Sequence, residues 1–371
     1  MERLSNYQLF TLVSLYEIGS TIIFGFASNA GRGAWIAVLI STAAGVAINV
    51  VYFILLRMNP GLTLVEWFPA QFGKWIGLPI SWIYALEFMY DGGRGLGDLK
   101  ILVPSTILPR TPVYIIQVTF MILITYALFS GVEIIARLGE MFLPLLLLVY
   151  LIDMIFIICS GIIHIQYIKP IMGEGWSSVM KAVWPLGITQ TFGQTIEFTM
   201  IWPLINKQGK ILKATLLATI ISGIFIAAID LLALLVLGEN TFSHSLFPIY
   251  RMIRVISIGE FIENVDAINV IFFLTTAFFK LFIHLWCAVR AIQILTFSKR
   301  NRKAILFVII IVSYMGMNMA ENSAEHLSTG LKIVPYSLWV PLFYVLPILL
   351  FIVTLLRKKI KSKPDMEHQC N

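Results

Sequence analysis

Apolar runs of about twenty residues follow one another along nearly the whole chain, and a chain so patterned folds with lipid as its solvent. In hydrocarbon every backbone polar group must be satisfied internally, which leaves helices and closed barrels as spanning structures. The runs are far longer than the roughly ten residues of a barrel strand, so the expected class is all-α. Apolar windows lie near 7–28, 34–56, 77–102, 113–130, 140–161, 179–203, 211–237, 265–297, 304–320 and 334–356. At about 20 residues each, they predict about ten transmembrane helices in a single transmembrane domain. Composition agrees: 58% of the 371 residues are hydrophobic and 13% charged, where a soluble domain holds about 25% charged.

The net charge of +7 does not point to nucleic acid, because the basic residues collect at the ends of apolar runs. With the N-terminus inside, the inner segments hold Arg3, Arg57, Lys74, Arg137, Lys207, Lys210, Lys213, Lys299, Arg300, Arg302, Lys303 and the run from Arg357 to Lys363. The outer ones hold only Arg32, Arg110, Lys169, Lys181, Arg251, Arg254 and Lys332. Both termini are therefore expected in the cytoplasm. The first run could be read as a signal peptide ending at Ser28-Asn29-Ala30, but it is too long for one and carries Glu17, so it is taken as the first span. Residues 238–264 form the longest outer connection, a candidate lid whose YRMIRVISI stretch suits a short interfacial helix. The polar, basic stretch 357–371 reads as a cytoplasmic tail.

Polar residues inside the spans are costly, and they concentrate in four of them. Span one places Glu17 beside Gly19, Ser20 and Thr21, small residues that suit an unwound segment whose freed backbone can bind a ligand. A tightly packed helix with a Gly/Ser contact face is the plainer alternative. Span six is the most polar, with Pro185, Gly187, Gln190, Gly193, Gln194 and Glu197, and an interruption is expected near Phe192-Gly193. The two spans sit five apart, each opening one half of the chain. That placement is the pointer to a transporter fold of two inverted repeats, about 7–161 and 179–356, with spans one and six broken and the site at the midplane.

Span three sets Tyr84, Glu87, Asp91, Arg94 and Asp98 on one helix face beside Phe88; Glu87 or Asp91 either pairs with Arg94 or lines a cavity. Span eight aligns Asn269, Phe273, Thr276, Lys280, His284 and Cys287. Lys280 lies mid-span and calls for a carboxylate, for which Glu17 is the first candidate, or for a ligand. Asp153 and Asp230 are further midplane acids.

Cys159, Cys287 and Cys370 have no metal-ligand or disulfide-framework spacing, and no P-loop, GxSxG, HExxH or paired His/Cys set is present. An enzyme is not expected, nor a metal centre or cofactor.

The segments YQLFTLVSLYEIGSTIIFG (7–25), GAWIAVLI (33–40), PGLTLVEWFPAQFGKWIG (60–77), GVEIIARLGEMFLP (131–144), GEFIENVDAINVIFF (259–273) and FFKLF (278–282) carry a resemblance. The chain resembles the B subunits of spore germinant receptors, in the endospore germination permease family of the amino acid-polyamine-organocation superfamily. The resemblance implies a LeuT-like fold of ten spans and a germinant-binding role. It also implies a larger A-type membrane subunit and a C-type lipoprotein as partners in the spore inner membrane. Carried onto this sequence, the family pocket falls on Gly19, Ser20, Thr21, Tyr84, Phe88, Gln194, Lys280 and His284; Glu17 and Glu87, ionisable in the same spans, complete the candidate ligand-binding set. Some members hold uncharged residues where Lys280 and His284 align, so the germinant need not be a small neutral amino acid. An active secondary amino-acid transporter coupled through Glu17 or Lys280 is the alternative, and a scaffold that binds no small molecule is a third.

Overall fold

The computed structural model describes residues 3–173, 175–255, 266–297, 301–320 and 322–361. It is all-helical apart from loops and one isolated bridge between Leu4 and Ile205. The helices are α1 (Asn6–Phe24), α2 (Ala34–Met58), α3 (Leu64–Phe72), α4 (Lys74–Thr106), α5 (Val113–Ser130), α6 (Val132–Cys159), α7 (Gly175–Ala182), α8 (Ile211–His244), α9 (Pro248–Arg254), α10 (Asp266–Leu295), α11 (Asn301–Asn318), α12 (Ser323–Ser328) and α13 (Leu346–Lys361). Among the described residues, six helical stretches are long and apolar enough to cross a membrane: Ser28–Met58, Val113–Ser130, Val132–Cys159, Gln208–His244, Asn269–Leu295 and Ser323–Lys358. The chain is thus a multi-pass helical membrane protein. Two of the expected spans, α1 and α4, are continuous in chain but interrupted in apolarity, α1 by Glu17 and α4 by Glu87, Asp91, Arg94, Asp98 and Lys100.

Helix α1 opens with a capping box, Gln8 N–H donating to Ser5 Oγ at 3.0 Å while Ser5 N–H donates to Gln8 Oε1 at 2.9 Å. It loses helical geometry at Gly19 (φ 14°, ψ −133°), inside the stretch whose small residues suggested an unwound turn. The lack of a side chain there has a packing reason as well, since a Cβ at Gly19 would lie 2.9 Å from Lys280 Cδ. The Gly19 carbonyl freed by the break accepts from Thr276 Oγ1 at 3.4 Å.

Residues 183–204 are not a regular α-helix. Val183–Phe192 winds in wide π-type turns that begin with extended geometry at Trp184, just before Pro185; Gly193–Met200 and Trp202–Leu204 wind in tight 3₁₀ turns. The change of pitch falls at Phe192-Gly193, although both residues keep right-handed helical dihedrals. The irregular turns leave carbonyls accessible to further donors, which side chains from other helices supply. Tyr344 OH donates to Ile188 O (2.9 Å), Lys280 Nζ to Gln190 O (3.4 Å), Tyr52 OH to Gly193 O (3.3 Å) and Tyr16 OH to Gln194 O (3.3 Å). Helix α2 approaches closely because residue 45 is glycine: a Cβ there would sit 2.3 Å from Phe192 Cβ.

Around this irregular segment α1, α2, α4, α8 and α10 form the interior, whereas α5 and α6 turn apolar side chains such as Ile122, Leu148 and Ile158 outward, as lipid-facing helices do. Helix α9 occupies part of the expected outer connection. Its Ile249, Tyr250, Met252 and Ile253 are buried against α1, α8 and α10, while Arg251 and Arg254 stay exposed. Helix α8 also runs past a kink at Gly238 to His244, which shortens the loop read from sequence. The rest of that candidate lid, 256–264, and the tail beyond 361 lie outside the described residues, as do Lys299 and Arg300.

Candidate functional site

A small cavity sits where α4, residues 183–194, α10 and Trp339 meet. Its free volume is about 30 Å³, room for about one or two waters. Helix α4 supplies Asp91, Arg94 and Asp98, the irregular segment supplies Gln190 and Gln194, and α10 supplies Lys280 and His284. The helical step of three to four residues is what presents Asp91, Arg94 and Asp98 on α4, and Lys280 and His284 on α10, to the same side.

The polar groups are tightly engaged. Gln194 Nε2 donates to Asp91 Oδ2 at 2.5 Å and Trp339 Nε1 to Asp91 Oδ1 at 3.0 Å. Beside the cavity, Glu197 Oε1 accepts from Tyr16 OH at 2.9 Å and lies 2.7 Å from His284 Nδ1. Asp98 Oδ1 lies 2.8 Å from Nε2 of His326, a residue the sequence placed in a connection but the structure buries. The two cations are less well matched. Lys280 has the 3.4 Å contact to Gln190 O and stands 5.2 Å over the Tyr16 ring. Arg94 stacks 5.4 Å over Trp339. Among the described residues neither has a carboxylate within ion-pair distance. A buried cation without a counter-ion is unfavourable, so both depend on the surrounding acids at longer range, Asp91, Glu197 and Asp98 for Lys280.

Of the candidate ligand-binding set, Gln194, Lys280 and His284 line this cavity, joined by Asp91, Arg94, Asp98 and Gln190 from the polar positions of the same spans. Glu87 is buried one turn before Asp91 and lies against that residue's carboxyl group, with no donor from another side chain among the described residues. Tyr84 and Phe88 lie instead in an aromatic stack with Phe68, and the Tyr84 hydroxyl donates to Leu342 O. Gly19 packs on the Lys280 stem, and Thr21 Oγ1 meets Thr191 Oγ1 at 2.9 Å; the Ser20 side chain lies outside the described residues.

The expected Glu17–Lys280 ion pair is not formed. Glu17 Oε1 accepts from Thr219 Oγ1 at 2.7 Å, at the end of a polar chain in which Thr195 Oγ1 donates to Asn49 Oδ1 (2.7 Å) and Asn49 Nδ2 to Thr219 Oγ1 (3.2 Å). That chain turns Glu17 toward α2 and α8, away from the cavity. Of the two alternatives for the acids of span three, lining a cavity is the one Asp91 takes, and Arg94 stacks on Trp339 with no ion pair to Glu87 or Asp91. Trp339 and His326 were beyond sequence reasoning because their partners are more than two hundred residues away.

Fold and site together define a multi-pass, all-helical membrane protein with a charged central cavity built on an irregular helix. The family model described as "Spore germination protein" (Spore_permease) matches residues 3–325, and the chain belongs to that family. It is 29% identical over 366 residues to Spore germination protein KB of Bacillus subtilis (strain 168), covering 98% of this chain and 98% of the relative. It is 23% identical over 326 residues to Spore germination protein YndE of the same organism, with 88% of each covered. The chain is therefore a germination-related membrane protein of permease type, as the resemblance read from its segments implied.

Proposed function

We propose that the chain is the germinant-sensing, B-type subunit of a spore germinant receptor, binding a small nutrient such as an amino acid at the cavity between α4 and α10 and so triggering germination. The observation that carries this reading is the meeting of Arg94 and Lys280, cations without ion pairs among the described residues, with Asp91, Gln190 and Gln194 around one cavity. A polar molecule would complete the unmet donors there, at a position suited to a midplane site. The interruptions at Gly19 and over 183–204 support a LeuT-like arrangement of about ten spans in two inverted repeats, about 7–161 and 179–356, with both termini cytoplasmic. In this reading a larger A-type membrane subunit and a C-type lipoprotein are its partners in the spore inner membrane, and no chemical step is catalysed.

A cavity of about 30 Å³ is too small for an amino acid, which needs several water volumes. Binding therefore requires α4, the irregular segment or α10 to move, and the signal to the partner subunits is limited by the ligand's difference in affinity between the two arrangements. Thermal melting of the purified chain against amino acids, nucleosides and sugars tests the reading; one class should stabilise the protein, and Gln194→Ala should remove the effect. Absence of stabilisation by any of them in the protein assembled with its partners would overturn it. Concentrative uptake of the same solute by proteoliposomes of the chain alone would favour the secondary transporter instead.

A further inference from the structure

Three carboxyl groups and one imidazole converge beside the cavity. Asp91 from α4, Glu197 from the 3₁₀ stretch and His284 from α10 are all buried, and each offers one ligand atom within 4.8 Å of the other two. Glu87, at 2% exposure, faces Asp91 and Glu197 from the preceding turn of α4. Glu197 Oε2 is buried with no hydrogen-bond partner among the described residues, and Glu87 meets Asp91, a second acid, carboxyl to carboxyl. Carboxyl groups crowded together in a low-dielectric interior, one of them with an unmet oxygen, are costly unless a proton or a cation meets them. Lys280 and Arg94, which share the cavity with this group, make no ion pair with it.

We propose that Asp91, Glu197 and His284, with Glu87 as a fourth donor, form a binding site for a divalent first-row transition cation of the Zn²⁺ type. The donor set selects the class. Carboxylates alone would suit Ca²⁺ or Mg²⁺, but an imidazole nitrogen favours the borderline transition ions. Zn–N and Zn–O bonds of about 2.0–2.2 Å put tetrahedral donors about 3.4 Å apart. The longest side of the triangle, at most 4.8 Å, must close modestly, and the 2.7 Å His284–Glu197 contact must open. Both changes are within reach of side-chain rotation next to a cavity. The ion would supply positive charge where three acids outnumber the two cations, and it would tie α4, the irregular segment and α10 together in the arrangement seen here. Lys280 is the opposing influence, because its ammonium raises the cost of a second cation nearby.

The inference does not rest on nutrient binding, and its test uses metal alone. Tag-free purified protein is stripped with chelator, equilibrated with Zn²⁺ in excess Mg²⁺ and Ca²⁺, desalted and analysed for bound metal by mass spectrometry. About one equivalent of Zn²⁺ is expected in the wild type, with loss of tenfold or more in affinity for Glu197→Gln and His284→Gln and a smaller loss for Glu87→Gln. Asp230→Asn, a change of a buried acid elsewhere in α8, should bind like the wild type. Retention below about a tenth of an equivalent, or equal binding by wild type, Glu197→Gln and His284→Gln, would overturn the site, the latter outcome marking surface binding only. Should the variants fail to fold, Co²⁺ titration of the wild type decides: tetrahedral visible bands are expected, and a featureless octahedral spectrum would refute the proposal.

Discussion

Replacing His284 by leucine in metal-free protein should destabilise it more than replacing both His284 and Glu197. His284 Nδ1 lies 2.7 Å from Glu197 Oε1, and both side chains are almost fully buried. Glu197 Oε2 already has no partner among the described residues, so His284→Leu leaves the carboxylate with only the Tyr16 hydroxyl. A hydrogen bond to a charged group contributes about 1.5–3 kcal/mol, and breaking a buried ion pair costs about 3–5 kcal/mol because one charge is stranded. The single change therefore lies between about 2 and 5 kcal/mol. In His284→Leu/Glu197→Met the stranded charge is gone, and Tyr16 retains its contact to Gln194 O. The cycle of wild type, two single variants and the double variant should give a coupling of about 1.5–3 kcal/mol, the upper range for residues in direct contact. The assay is reversible denaturation in mixed micelles with chelator present. Single costs that add within about 0.5 kcal/mol would refute the claim that the two residues form one unit.

Three further outcomes are expected. Thr219→Val removes the donor to Glu17 Oε1 and should cost about 1–3 kcal/mol, a loss that Glu17→Met in the same chain largely reverses; an unchanged melting curve for Thr219→Val would show that the hydroxyl does not hold Glu17. Gly45→Ala forces a Cβ to 2.3 Å from Phe192 Cβ and should lower folded yield, with Phe192→Ala giving no rescue because the clash begins at Cβ; normal yield on size-exclusion chromatography would contradict this packing. Trp339→Leu should free Asp91 Oδ1 and unstack Arg94, costing about 1–3 kcal/mol from the lost donor alone. Tyr336→Leu, at an exposed aromatic one turn earlier, is the control with little expected effect, and equal denaturation of the two variants would refute the role given to Trp339.

Much of the fold was legible because the physics that places helices in lipid is local. Apolar length sets where helices run, and α2, α5, α6, α8 and α10 fall close to the windows read from hydropathy. The weak points of the helices were legible for the same reason. Gly19 lies in a cluster of small residues, and Pro185 lies in the segment whose turns change pitch. The polar face of α4 and the spacing of Lys280 and His284 in α10 were equally readable, since a helix repeats every 3.6 residues whatever surrounds it. One boundary was not: α8 continues beyond its kink at Gly238 to His244.

Who partners whom was decided only in three dimensions. Nothing in the run LYEIGST shows that Glu17 reaches Thr219, because that choice depends on Asn49 and Thr195 filling the space between α2 and the irregular segment. Asp91 and Arg94, three residues apart, could have paired with each other; instead Asp91 takes donors from Gln194 and Trp339, and Arg94 stacks on the same tryptophan. His284 was singled out from sequence, but its contact is Glu197, contributed by a segment 87 residues earlier. A buried charge selects its counter-group by distance in a low-dielectric interior, and that distance is set by how the helices pack, a property that hydropathy along the chain does not encode.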